Sequence, residues 1–294
     1  MMNRQRGSIL PLTLIILAIL SILAINMNVK SRHAISDVQD QKQQFSDLLA
    51  IKNAINKSLF IIAVGKQSEN AYSYKGQTVY VDGQPQTIDG VPITIQDTAG
   101  ILSLALSSQQ EIYNVLRSYV PGDIANNITK DIIAWRTPNN LTSTPFSGDD
   151  DNYLPRHSYM RSIDELLDIP GIAQGQFYNS KNGKIGLSDD FLAGGAGWIN
   201  YATMPPRLLK AIYNISDSDI DQLSNLKKSN DWPAFNQRLL DLGLYNEMNN
   251  QKSGRFVIIA KGNTYKAKGI FHVIYGGLPP IKTQLWQYPH VSRY

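Results

Sequence analysis

An uncharged stretch at residues 8–25 constrains the rest of the chain more than any other feature. In RQRGSILPLTLIILAILSILAIN, residues 4–26, nothing from Ser8 onward is charged, and only Ser8, Thr13 and Ser21 are polar before Asn26. A helix rises 1.5 Å per residue, so this run covers about 27 Å, close to the ~30 Å hydrocarbon thickness of a bilayer. Arg4 and Arg6 precede it, and basic flanks favour the cytoplasmic side, so the bulk of the chain is expected across the membrane. A cleavable secretory signal carries a small-x-small site after its apolar run. Here Asn26-Met27-Asn28-Val29-Lys30 follows, and the small residue, Gly7, stands before the run.

Pro11 bears on the same question. Inside an uncut helix it removes a hydrogen bond and clashes with the preceding turn. After a cut behind Gly7, Ser8 becomes the first residue and Pro11 the fourth. The first four N–H groups of a helix have no internal partner, so proline loses little there. Beyond the run, Ile35, Val38, Phe45, Leu48, Leu49, Ile55, Leu59 and Ile62 recur at helical spacing between polar residues. This predicts an amphipathic continuation packed on a globular domain, stopping at Val64-Gly65. The whole helix is expected to reach about 80 Å.

Downstream, QTVYV, a turn at DGQPQ, and TIDGVPITIQD read as a strand-rich patch, with alternation at Ile93, Ile95 and a final Asp97. AGILSLALSSQQEIYNVL opens a mainly helical region running to about residue 250. SGRFVIIAKGNTYKAKGIFHVIYGG then returns to two alternating runs joined around Gly262-Asn263, and TQLWQY reads as a last strand. Strands, a long helical stretch, then strands again predict an α+β fold: a long N-terminal helix on a small antiparallel sheet, with a large all-α insertion between strands.

Composition narrows the function. Charged residues make up 18% of the 294 and hydrophobic ones 43%, which excludes disorder and multiple membrane spans. Net charge is +4, and removing Arg4 and Arg6 leaves +2. That is too little for a general nucleic-acid binder. The chain has no cysteine, which removes thiolate metal sites and cysteine nucleophiles. Its four histidines, His33, His157, His272 and His290, show no metal-ligand spacing. No Gly-x-Ser-x-Gly, phosphate loop or dinucleotide fingerprint occurs, and a non-enzyme is expected.

The basic leader ending in glycine, the apolar stretch and the amphipathic continuation resemble the signal of type IV pilins and type II secretion pseudopilins. In that family a prepilin peptidase cuts after the glycine and methylates the new amine, which implies processing at Gly7 and Ser8. Most members carry Glu five residues after the cut; Leu12 stands there in this chain. Its absence is typical of type II secretion protein K, the large minor pseudopilin. IQDTAGILSLALSSQQEI, DIIAWRTPNN…GDDDNYLPRHSYMRSIDELLDIPGI and GWINYATMPPRLLKAIYNISDSDIDQL resemble that protein's segments in the same order.

The resemblance implies a leader at 1–7 and an N-terminal helix at 8–65. It implies pilin-like β regions at 66–100 and 254–294, with SAM-like helical subdomains at 101–200 and 201–253 between them. It also implies a single pass through the bacterial inner membrane with a periplasmic globular domain. The implied role is initiating and capping a pseudopilus, with minor pseudopilins I and J as partners and Leu12 marking a tip position. A membrane-anchored DNA-binding receptor and a minor pilin of a type IV pilus are the alternatives.

Two segments raise further expectations. GDDDNY contains Asp149, Asp150 and Asp151, and by its residues alone it reads as a solvated acidic loop or as an oxygen-ligand site for calcium. Calcium sites in the corresponding domain of protein K relatives imply the latter. Those relatives tend to carry acidic residues after the tryptophan, whereas Thr137, Asn139 and Asn140 follow Trp135 here, so a weaker or single site is implied. LLDIPGIAQ resembles half of a DNA-binding helix-hairpin-helix, but Ala173 replaces its last glycine and basic residues are sparse nearby. A packing unit is expected, with no nucleic acid bound. Ser216 with Asp219 reads as a capping box.

Overall fold

A computed structural model describes residues 9–138, 155–172, 177–178, 185–244 and 251–289. Two compact units divide the chain, Met1–Ala50 and Ile51–Tyr294. Helix α1, Ile9–Val64, runs through both. In the first unit every described side chain from residue 12 to 46 is exposed.

In the second unit α1 becomes a core helix. Ile51, Ala54, Ile55, Leu59 and Ile62 recur at threes and fours and are buried, which places them on one face. Burying each Ile or Leu of that face contributes about 1.5–3 kcal/mol as an upper figure. The helix stops where the pattern does. A Cβ at Gly65 would lie 2.4 Å from the Ile61 carbonyl oxygen and 3.0 Å from that of Ser73, so only glycine fits this exit.

A small sheet follows, of β1 (Lys66–Gln67), β2 (Ala71–Tyr74) and β3 (Gln77–Tyr80). The main sheet is antiparallel, in the order β10-β9-β8-β5-β4. Its strands are β4 (Asp82–Ile88), β5 (Val91–Asp97), β8 (Arg255–Lys261), β9 (Lys266–Val273) and β10 (Ile281–Gln287). Asp89 and Gly90, both at positive φ, close the β4–β5 hairpin, the conformation that a two-residue hairpin turn requires. The DGQPQ segment, expected as a turn, is instead the start of β4. The β4–β5 register shifts between Asp82 and Pro85, a bulge that accommodates Gly83 at φ +79°. As a sheet edge, β4 also tolerates Pro85, which has no N–H to donate.

One face of the main sheet carries Ile93, Ile95, Phe256, Ile258, Ala260 and Phe271, which form a single core with α1. β5 and β8 are neighbours, although residues 98–254 separate them in sequence. That insertion has its own core, including Ile112, Ile128, Leu166, Phe191, Leu209, Leu223 and Phe235. It contains α2 (Gln109–Leu116), α3 (Gly122–Arg136), α4 (Pro206–Tyr213), α5 (Asp217–Lys228) and α6 (Trp232–Asp241). A short parallel pair, β6 (Leu102–Ser103) with β7 (Phe191–Leu192), interrupts the helices. The segment Ile163–Asp168 is a 3-10 helix opened by a capping box from Ser162 to Glu165.

Candidate functional site

Of the residues singled out in the sequence, Gly7, Ser8, Asn139, Asn140, Asp149, Asp150, Asp151, Ala173 and His290 lie outside the described residues. Leu12 stands in α1, exposed among Leu14, Ile15, Ile16 and Leu17. α1 is long and apolar enough to cross a membrane once; its most apolar window has a mean hydropathy of 2.4 and is unburied. The Pro170-Gly171 turn serves packing. Gly171 takes φ +85°, a Cβ there would come 3.3 Å from Ile128, and Ile169 and Ile172 are fully buried. Ser216 caps α5, accepting a hydrogen bond from the Asp219 N–H at 3.2 Å. Among the described residues no group of three or more His, Asp and Glu is placed to hold a metal ion.

Among the described residues a buried polar constellation lies where the insertion leaves and rejoins the sheet, and it is centred on Asp97. The period-two pattern of β5 carries this carboxylate to the end of the strand, and Asp97 is fully buried there. It accepts hydrogen bonds from the Ser253 N–H at 3.1 Å, the Ala99 N–H at 3.4 Å and the Thr203 hydroxyl at 3.4 Å. The Ser253 hydroxyl also donates to it, and the Thr98 hydroxyl donates to Ser253 Oγ at 2.9 Å. Gln96 Nε2 donates to the Thr203 carbonyl at 2.9 Å. One carboxylate thus holds the outgoing chain, the returning chain and the 200–203 loop.

That loop, Ile199-Asn200-Tyr201-Ala202-Thr203, lies in the GWINYATMPP segment quoted above. Asn200 Oδ1 accepts from the N–H groups of Ala202 at 3.0 Å and Thr203 at 3.3 Å. The Asn200 N–H donates to the Ala99 carbonyl at 2.8 Å. Gly100 permits the close approach, since a Cβ there would lie 2.5 Å from the Thr203 carbonyl oxygen. Asp97 was legible as the end of an alternating strand, and Asn200 and Thr203 only as part of a resembling segment. Ser253 and Lys252 carried no local signal.

Lys252 extends the constellation toward α1. Its Nζ donates to the Ser68 carbonyl and sits 5.0 Å above the Tyr72 ring. The Tyr275 hydroxyl lies 2.9 Å from that of Tyr72 and 3.4 Å from the Ile62 carbonyl of α1. Burial pushes the Asp97 carboxyl up, opposed by the hydrogen bonds from Ser253 and Ala99 and by the Lys252 charge. Burial pushes Lys252 down to about 8, opposed by Asp97 and Glu69. This arrangement is a clasp, in which the Asp97 carboxylate gathers its donors from three segments of the chain.

The lysine has a measurable consequence. Between about pH 8 and 10.5 the unfolded chain holds a proton on Lys252 that the folded chain has released, so stability rises with pH there. Lys227, also pushed down to about 8 by burial, acts in the same sense. Above pH 10 the raised tyrosines Tyr72 and Tyr275 oppose the gain. From pH 8 to 10, Lys252 is expected to contribute about 1–2 kcal/mol to the rise. Lys252→Met should flatten the urea-unfolding profile over that window, and an unchanged slope would count against it.

No protein-family model matches the chain, and no curated protein matches it. Among solved structures it is similar to a chain of the crystal structure of the GspK-GspI-GspJ complex from the enterotoxigenic Escherichia coli type 2 secretion system. The TM-score is 0.50 at 12% sequence identity, over 85% of this chain and 98% of that one. With its long N-terminal helix, antiparallel sheets and further helices, the protein has a pilin-like α+β fold.

Proposed function

We propose that the chain is a minor pseudopilin of a type II secretion machine, anchored in the inner membrane by the first part of α1. The observation that carries this reading is the fold. An exposed apolar helix continues into a sheet-packed one, and a helical insertion rises between neighbouring strands, as a whole similar to a subunit of a pseudopilin complex. In this reading a prepilin peptidase cuts after Gly7 and methylates Ser8, and the globular part is periplasmic. Leu12 supports a place at the tip. A carboxylate within lipid-like surroundings carries a large desolvation cost and belongs where an amine partner neutralises it. A subunit with no neighbour above it has no such partner to meet. The partners are minor pseudopilins of the I and J type.

Intact mass of the membrane-extracted protein tests the processing step. The expected mass is that of the chain from Ser8 plus one methyl group, and an intact Met1 terminus in cells with active peptidase would refute it. A bulky residue in place of Gly7 should block the cut. The role itself is tested by labelling the protein in sheared pseudopili. Label confined to one end supports it, whereas label along the shaft at the abundance of the major subunit overturns it.

A further inference from the structure

The last strands of the chain carry one sign of charge. Residues 251–294 hold seven lysines and arginines and no aspartate or glutamate, so their cations find no acid within the same segment. Pairing sets Arg255 of β8 opposite His272 of β9, and His272 opposite Lys282 of β10, in one row across three strands. Phe271 and Val273 belong to the core with α1, so alternation turns this row to the other face. Among the described residues neither Arg255 nor Lys282 has an ion-pair partner. Partial burial, and then the Arg255 and Lys282 charges, push His272 below its ordinary value, as crowded cations do. Near this end Asp97 is buried, and it and Glu69 act on Lys252, which offsets them.

Just past the row lies the loop that joins β9 to β10. Residues 274–280, IYGGLPP, carry no charge. Leu278 is 98% exposed, and Tyr275 and Ile274 are exposed beside it. The loop is nevertheless braced. The Ile274 N–H donates to the Pro280 carbonyl at 2.8 Å, and the Gly277 N–H to that of Ile274 at 3.0 Å. The Tyr275 hydroxyl reaches Tyr72 at 2.9 Å. Pro279 and Pro280 have no N–H. Four of the seven residues thus bring no free N–H to a medium that offers no acceptor.

The order of these layers decides what they fit. Strands rise about 3.3 Å per residue, so the cation row lies about 7 Å behind the base of the loop. Apolar groups at a bilayer surface bury to about 5–10 Å, with cations at the headgroups. A nucleic-acid backbone offers phosphates but nothing for an exposed leucine. The tip projects rather than forming a groove, so it gives an extended peptide no bed to lie in.

We propose that the β9–β10 loop is a membrane-contact element, which inserts Leu278 among the acyl chains of an anionic phospholipid surface while Arg255 and Lys282 meet its phosphates. Every residue invoked lies in the second unit, so the proposal stands without the pseudopilin reading.

The test uses the full chain in neutral phosphatidylcholine nanodiscs, to which sucrose-loaded phosphatidylglycerol vesicles are added at physiological salt. Empty discs set the background. The chain has no cysteine, so Leu278→Cys takes an environment-sensitive fluorophore at one position only. The expected result is a blue shift of that label on adding the vesicles, and none from the same label at Lys266→Cys, at the far end of β9. Apparent affinity of the unlabelled protein, read by co-sedimentation, should fall at least about fivefold in Leu278→Ser. In R255E/K282E it should fall at least about tenfold. Lys266→Glu should change it less than about twofold, since about 20 Å of strand separates it from the row and the Debye length is about 8 Å. Absence of the shift, an equal shift with phosphatidylcholine vesicles, or a smaller loss in either Leu278→Ser or R255E/K282E overturns the proposal.

Discussion

Asp97→Ala is expected to lower the stability of the folded region by about 3 kcal/mol or more, since four donors lose their acceptor and the buried Lys252 loses its counter-charge. For a unit of this size that corresponds to a melting point lower by about 6–12 °C. Asp97→Asn keeps the volume but turns an NH2 toward groups that donate, so it should fall between alanine and wild type. Asp217→Ala is the control. Asp217 is an exposed carboxylate paired with Lys210 on the surface, and such pairs contribute about 0–1 kcal/mol. Urea unfolding followed by tryptophan fluorescence reads all three. If Asp97→Ala costs no more than Asp217→Ala, the clasp at the root of the insertion is not what holds it.

The second large effect concerns the apolar half of α1. Ile16 and Leu17 sit near the middle of the uncharged run and are exposed in the structure. A single lysine or arginine at the centre of a membrane helix costs about 2.5–3.5 kcal/mol, so Ile16→Lys with Leu17→Arg should cost about 6 kcal/mol of insertion free energy. The double variant is expected to leave the carbonate-resistant membrane fraction, either into the soluble fraction or by degradation. Gln43→Lys, further along the same helix and also exposed, should stay with wild type. A double variant still retained in carbonate-washed membranes would show that residues 8–25 are not the anchor.

What could be read from the sequence was local. The uncharged run, the spacing of Ile55, Leu59 and Ile62, and the stop at Val64-Gly65 depend on residues within a turn or two of each other; the same spacing at Ile35, Val38 and Phe45 falls on exposed side chains. The alternation at Ile93 and Ile95 and the hairpin near Gly262 depend on periods of two and on turn chemistry. Each is written in neighbours along the chain, so each was legible. Local reading failed at DGQPQ, because Gly and Pro signal a turn by type. Only an edge position in the assembled sheet makes them tolerable as a bulged strand.

The clasp was decided by tertiary structure. Asp97 and Ser253 are 156 positions apart, and Gln96 and Thr203 are 107 apart. No periodicity reaches across that separation. Which donors gather around a buried carboxylate follows from β5 and β8 becoming neighbours while 157 residues fold between them on a core of their own.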